Sequence, residues 1–178
     1  YLNVSGLSFS GITMYLNSVK VLAAQRVESY QFEGYLNSID PTQLIDLDLS
    51  FSNANLLTHI PKYKNLKRLV VKSNRMVSIT NEQLITDINS LAKTLTDLTI
   101  DLFQVEMNQL NLPNLKRLKL QEYGEQITED LPQIFSNLEY LNLSKNGIKS
   151  LNLKKSLDRL QTLVLDNNPI QLIDISTL

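Results

Sequence analysis

Leucines and isoleucines recur along this chain in a short, uneven rhythm. Between Leu138 and Leu151, apolar residues stand at Leu138, Leu141, Leu143, Ile148 and Leu151, with Asn146 among them. Leu141 and Leu143 alternate with polar neighbours, as on a short strand with one buried face. The alternation stops at Asn146-Gly147, a turn signal, and Ile148 and Leu151 then return to apolar surroundings at a different spacing. The stretch predicts one strand, one corner and one return limb. A unit this small cannot bury its apolar side alone, so similar neighbours are expected to stack on it.

Such neighbours are present. Leu44, Leu47 and Leu49 open one, and Leu66, Leu69 and Val71, with Asn74, Met76 and Ile79, form the next. Leu95, Leu98 and Ile100 lead to Phe103 and Val105, and Leu115, Leu118 and Leu120 lead to Tyr123 and Ile127. Leu160, Leu163 and Leu165, with Asn168, Ile170 and Ile173, form the last. Tyr1 to Phe9 aligns with Tyr140 to Ile148, so the chain opens inside a unit. A further unit places Val19, Leu22 and Ala24 in the strand positions and Val27 where asparagine is expected, with Tyr15-Leu16-Asn17-Ser18 and Tyr35-Leu36-Asn37-Ser38 as return limbs. One interval is longer than the rest. Within it Thr80-Asn81-Glu82-Gln83 has the form of a capping box, followed by Leu84, Ile88, Leu91 and Leu95, which predicts a helix over Thr80–Leu95 on the outer side.

These units resemble the leucine-rich repeat family, whose pattern L-x-x-L-x-L-x-x-N-x-I/L recurs at ~20–29 residues. The limbs Ile60-Pro61-Lys62-Tyr63-Lys64-Asn65-Leu66 and Leu131-Pro132-Gln133-Ile134-Phe135-Ser136-Asn137-Leu138 resemble the L-P-x-x-F-x-x-L limb of its typical subclass, common in Toll-type receptors. The resemblance implies an α/β fold: a horseshoe-shaped solenoid with a concave parallel sheet and a mostly irregular convex side. It implies one domain over residues 1–178, about eight repeats, expected to be a fragment without its caps. The asparagine position departs from the pattern at Leu7, Val27, Ser52, Phe103 and Tyr123. Asparagine there pairs with backbone groups at the corner, so an irregular middle is expected.

Composition narrows the chemistry. A net charge of −1 argues against a nucleic-acid or membrane-surface binder. No apolar run approaches the ~20 residues of a membrane span. With no cysteine there is neither a disulfide framework nor a thiol nucleophile, and His59 is the only histidine. No phosphate-cradling or dinucleotide motif occurs. The expectation is a protein that is not an enzyme and carries no cofactor or metal.

Candidate binding residues come from strand alternation, which sends the residues between the buried ones to the opposite face. One column reads Tyr1, Val21, Asp46, Arg68, Asp97, Arg117, Tyr140 and Thr162, and its neighbour Asn3, Ala23, Asp48, Val70, Thr99, Lys119, Asn142 and Val164. Asp46, Arg68, Asp97 and Arg117 are expected to form an alternating ladder, with Lys72 and Asp101 paired beyond it. The ladder reads equally as self-satisfied ion pairs or as a mixed-charge strip for a partner. The basic stretch Lys62, Lys64, Lys67, Arg68, Lys72 and Arg75 reads as a solvated edge or an anion-binding patch. Asn3-Val4-Ser5 and Asn142-Leu143-Ser144 are candidate glycosylation sequons, although N-L-S is also what the repeat itself spells.

The favoured expectation is a non-catalytic, extracellular or cell-surface domain of receptor or innate-immunity type. It would bind a protein ligand or co-receptor through Asp46, Asp48, Arg68, Val70, Lys72, Asp97, Thr99, Asp101, Arg117, Lys119, Tyr140 and Asn142. The alternative is an intracellular or pathogen-delivered scaffold that binds a host protein. A third reading is self-association through open sheet ends.

Overall fold

In the main sheet, the leucine of each strand lies level with the leucine of the next. In the computed structural model, Leu2, Leu22, Leu47, Leu69, Leu98, Leu118, Leu141 and Leu163 share one register across a single parallel sheet. The structure describes residues 1–7, 16, 18–27, 30–72, 80–101, 109–121, 136–153 and 157–174. The sheet has eight strands. They are β1 (Leu2–Asn3), β2 (Val21–Ala23), β3 (Asp46–Asp48), β4 (Arg68–Val71), β5 (Asp97–Ile100), β6 (Arg117–Leu120), β7 (Tyr140–Asn142) and β9 (Thr162–Val164). A second pair, β8 (Ser150–Asn152) with β10 (Leu172–Asp174), is also parallel. Parallel neighbours need a long connection, and the return limbs supply it. Leu22, Leu47, Leu69, Leu98, Leu118 and Leu141 are all buried, and one continuous apolar cluster runs behind the sheet. Strands of two to four residues hold only because each rests on the next.

The corners after β1, β2, β3, β7 and β9 repeat a backbone conformation. Gly6, Arg26, Phe51, Lys145 and Asn167 all have positive φ, between 56° and 71°. Each lies three residues beyond the end of its strand. Only Gly6 meets this without steric cost. The next residue fills the asparagine position and ties the corner down. Asn146 is 1% exposed and its Nδ2 donates to the carbonyls of Leu120, Leu143 and Ser144 at 3.0, 2.7 and 3.2 Å. Asn168 Nδ2 donates to Leu143 O and Leu165 O, at 2.8 and 2.7 Å. Ser52 performs this role with a hydroxyl: its Oγ donates to Ala24 O at 2.6 Å and accepts from Val27 N–H at 3.0 Å. Val27 in the same position is buried, whereas Leu7 is 49% exposed and does not turn inward. The expected positions Phe9, Tyr15, Asn17, Asn74, Met76, Ile79, Phe103, Val105, Tyr123 and Ile127, and the limb over 131–135, lie outside the described residues.

The return limbs differ from expectation in their helices. The capped helix begins as predicted, with Thr80 Oγ1 accepting from Gln83 N–H at 3.1 Å. It spans Asn81–Asn89 (α2) rather than reaching Leu95. Ser90 Oγ donates to Asp87 O at 2.6 Å, a side-chain bond that competes with helix continuation. Turns then carry Leu91 and Leu95 into the core, where they stay buried with Leu84 and Ile88. Among the described residues, two further helices depart from the expectation. α1 spans Tyr30–Ser38 and buries Phe32 and Leu36, with Ile39 just beyond it, and a 3-10 helix spans Ala54–Lys62. Tyr35-Leu36-Asn37-Ser38, expected as a return limb, falls in α1, where Phe32, Leu36 and Ile39 stand at helical spacing. The two helices are joined through one carbonyl. Leu36 O accepts from Lys62 Nζ at 2.6 Å and from the Tyr63 hydroxyl at 3.0 Å. Among the described residues, no helix is long and apolar enough to cross a membrane.

Candidate functional site

With the leucines buried on one side, the residues between them face the other. The registers Asp46↔Arg68, Arg68↔Asp97, Asp97↔Arg117 and Arg117↔Tyr140 put the charged column side by side across β3 to β7. Asp48, Val70, Thr99, Lys119 and Asn142 follow in the second column. Neighbouring strands lie ~4.8 Å apart, so adjacent side chains touch.

The charged column resolves into two pairs. Arg68 Nη1 donates to Asp46 Oδ1 at 2.7 Å, and Arg117 Nε stands 3.1 Å from Asp97 Oδ1. All four side chains are partly open to solvent, so each pair is worth at most ~1 kcal/mol. Arg117 also lies over the ring of Tyr140, with its guanidinium carbon 4.3 Å from the ring centre. Burial raises the pKa of Asp97 above the ordinary carboxylate value. Arg117, a hydrogen bond from Thr96 and the more distant Arg68 oppose the shift, and Asp46 adds to it. Arg68 thus bonds to Asp46 and acts on Asp97 through space.

Several expected contact residues are committed to the fold. Asp48 is 8% exposed, with Oδ1 accepting from Ser50 N–H at 2.9 Å and Oδ2 from Gln25 Nε2 at 2.6 Å. Val70 and Asp101 are buried as well. Lys72, expected to meet Asp101, donates from Nζ to Gln121 Oε1 at 2.9 Å, a partner the columns had not suggested. Asn142, expected to project as a glycan acceptor, is 7% exposed. Its Oδ1 accepts from Ser144 N–H at 2.9 Å, which turns Nδ2 toward the Tyr140 hydroxyl at 3.1 Å. A glycan on that nitrogen would leave the Oδ1 bond in place and compete with the contact to Tyr140. Asn3 is exposed, and its Oδ1 accepts from Ser5 N–H at 3.0 Å. The same local turn occurs at Asn3, Asp48 and Asn142, so both sequons coincide with a strand-exit turn that aspartate can also make.

What remains accessible converges. Arg68, Asp97, Leu98, Thr99, Arg117, Leu118, Lys119 and Tyr140 line a depression of about 200 Å³ on the solvent face of β4 to β7. Strand alternation defines the columns but not which of their members stay open. His59 lies apart from this face. Its Nε2 is 3.4 Å from Glu33 Oε1 of α1, and burial followed by the nearby Lys62 lowers its pKa against the pull of Glu33. Among the described residues, no three His, Cys, Asp or Glu side chains gather as metal ligands would.

Comparison of the chain with family models finds no match, and comparison with curated proteins finds none either.

Proposed function

We propose that this chain is a leucine-rich-repeat solenoid of the horseshoe type and works as a non-catalytic protein-recognition domain. The partner, a protein ligand or co-receptor, docks on the sheet face that carries Arg68, Asp97, Thr99, Arg117, Lys119 and Tyr140. The observation behind this reading is the convergence of those residues around one open depression. Exposed pairs such as Asp46–Arg68 add little to stability, so their value on that face lies in orienting a charged partner and speeding its approach. A photo-crosslinker at position 99, compared with one at Lys93 on the return limb after α2, tests this in extract from the native source. The reading predicts one discrete protein adduct from position 99 and none from position 93. Equal adducts from both, or adducts from position 93 alone, contradict it.

In the favoured setting this is an extracellular, receptor-like surface of innate-immunity type. The alternative is an intracellular or pathogen-delivered scaffold on a host protein; of the two sequon asparagines, Asn142 is buried and only Asn3 is exposed. Mass spectrometry of protein from its native source separates the two. A glycan on Asn3 supports the extracellular setting, and unmodified Asn3 and Asn142 support the intracellular one.

A further inference from the structure

The depression on β4 to β7 has an uneven balance of charge. Its lining holds three cations, Arg68, Arg117 and Lys119, and one anion, Asp97. Asp46 lies just outside the lining on Arg68. Counting Asp46, one positive charge stays uncompensated. Lys119 carries it, since among the described residues its ammonium meets no carboxylate.

The remaining donors are poised. Arg117 is held from two sides, by Asp97 at 3.1 Å and by the Tyr140 ring at 4.3 Å, while its terminal Nη groups have no partner among the described residues. Tyr140 is itself fixed: its hydroxyl accepts from Asn142 Nδ2 and keeps a proton to donate. Thr99, which carries a hydroxyl, lines the same space. A planar guanidinium, an ammonium and two hydroxyls around one hollow suit a carboxylate, which accepts at both oxygens. At about 200 Å³ the hollow is smaller than the ~300–1,000 Å³ of sites for whole small molecules. It has room for the end of one side chain.

We propose that this depression receives an aspartate or glutamate side chain from an acidic segment of the protein partner, with Lys119 and Arg117 as its principal contacts. One carboxylate matches the single excess charge. A phosphate dianion would overshoot it. The inference rests on the recognition reading above and names what that surface grips.

The test titrates the whole chain with a capped hexaglutamate peptide at low salt and follows backbone amides by NMR. Hexaglutamine, a phosphoserine hexapeptide and the variants Lys119→Gln, Lys119→Glu and Lys93→Glu complete the set. The expected result is a hexaglutamate-dependent shift at Thr99, Lys119 and Tyr140, absent with hexaglutamine. Lys119→Glu weakens the interaction at least about tenfold, Lys119→Gln weakens it by less, and Lys93→Glu leaves it within about twofold. Lys119→Gln removes the charge and keeps a hydrogen-bond donor on a chain one bond shorter, so it reports on charge if Lys119→Glu perturbs the fold. Equal binding of hexaglutamine, or equal losses at Lys119 and Lys93, overturns the proposal. Tighter binding of the phosphoserine peptide through the same residues overturns it in favour of phosphate. If the peptide fails while crosslinks from position 99 persist, the carboxylate assignment alone is wrong; if both fail, the recognition reading is wrong too.

Discussion

Asn168 turns its Oδ1 onto the main-chain N–H of Asn146, one repeat earlier in the sequence, at 2.9 Å. The same oxygen accepts from Ile148 N–H at 3.1 Å, while Asn168 Nδ2 holds Leu143 O. One side chain thereby pairs backbone groups of two successive corners, where neither helix nor sheet can supply partners. Asn146 stands in the same relation to Leu120 O, so the corners are linked in series.

Asn146→Ala should destabilise the chain by about 1–3 kcal/mol, because three buried carbonyls lose their donor. Asn168→Ala should cost somewhat less, since Asn168 is only half-buried. Lys93→Ala, on an exposed side chain, should stay within about 0.5 kcal/mol. Urea melts of the three variants check this order. Equal midpoints would mean the corner bonds contribute nothing measurable.

Ser52 extends the argument to a corner without asparagine. Ser52→Ala removes the acceptor of Val27 N–H and the donor to Ala24 O, both buried, and should cost about 1–3 kcal/mol. Hydrogen exchange at Val27 gives the local readout. Its amide should lose protection in the variant ahead of Leu47, which lies in the middle of the sheet.

Lys145 holds φ at 61°, a conformation that strains a side chain bearing Cβ. Lys145→Gly should therefore leave stability unchanged or raise it by up to about 1 kcal/mol, unlike a glycine placed elsewhere. The equivalent change at Lys93 should lower stability. Thermal melts of the pair distinguish them.

His59 makes stability depend on pH. Its pKa in the fold lies below the ordinary value of 6.5, through burial first and the charge of Lys62 second. The unfolded chain therefore binds a proton that the folded chain resists. Stability is full above about 6.5 and falls as pH drops below that value toward the folded pKa. His59→Gln should flatten the profile between pH 7 and 5. An unchanged slope in denaturant melts would place the acid sensitivity elsewhere.

The strand columns were legible because alternation and the position of each leading leucine fix register without further knowledge. Even the irregular second unit aligned, with Val21 beside Asp46 and Leu22 beside Leu47. Burial on the outward side was not legible. Asp48 and Asn142 occupy outward positions, yet strand-exit turns and neighbours such as Gln25 and Tyr140 cover them. That depends on side-chain reach between strands, which spacing does not encode. α1 was missed for a related reason: the likeness between Tyr15-Leu16-Asn17-Ser18 and Tyr35-Leu36-Asn37-Ser38 outweighed the spacing of Phe32, Leu36 and Ile39. The expected unbroken ladder became two pairs because each arginine turns back toward the preceding strand's aspartate.

The central claim is that the outward face of β3 to β7 is a partner-binding surface. The most direct measurement is the affinity of the double reversal Arg68→Glu with Arg117→Glu for the protein that crosslinks from position 99. It is taken at low and high salt on a sample shown by thermal melt to be folded. Like charges would then stand beside Asp46 and Asp97 at a modest cost in stability, because the native pairs are exposed. The account predicts a fall in affinity of at least about tenfold and a weaker dependence on salt. Unchanged affinity in the folded double variant would contradict it and move the binding surface to the return limbs.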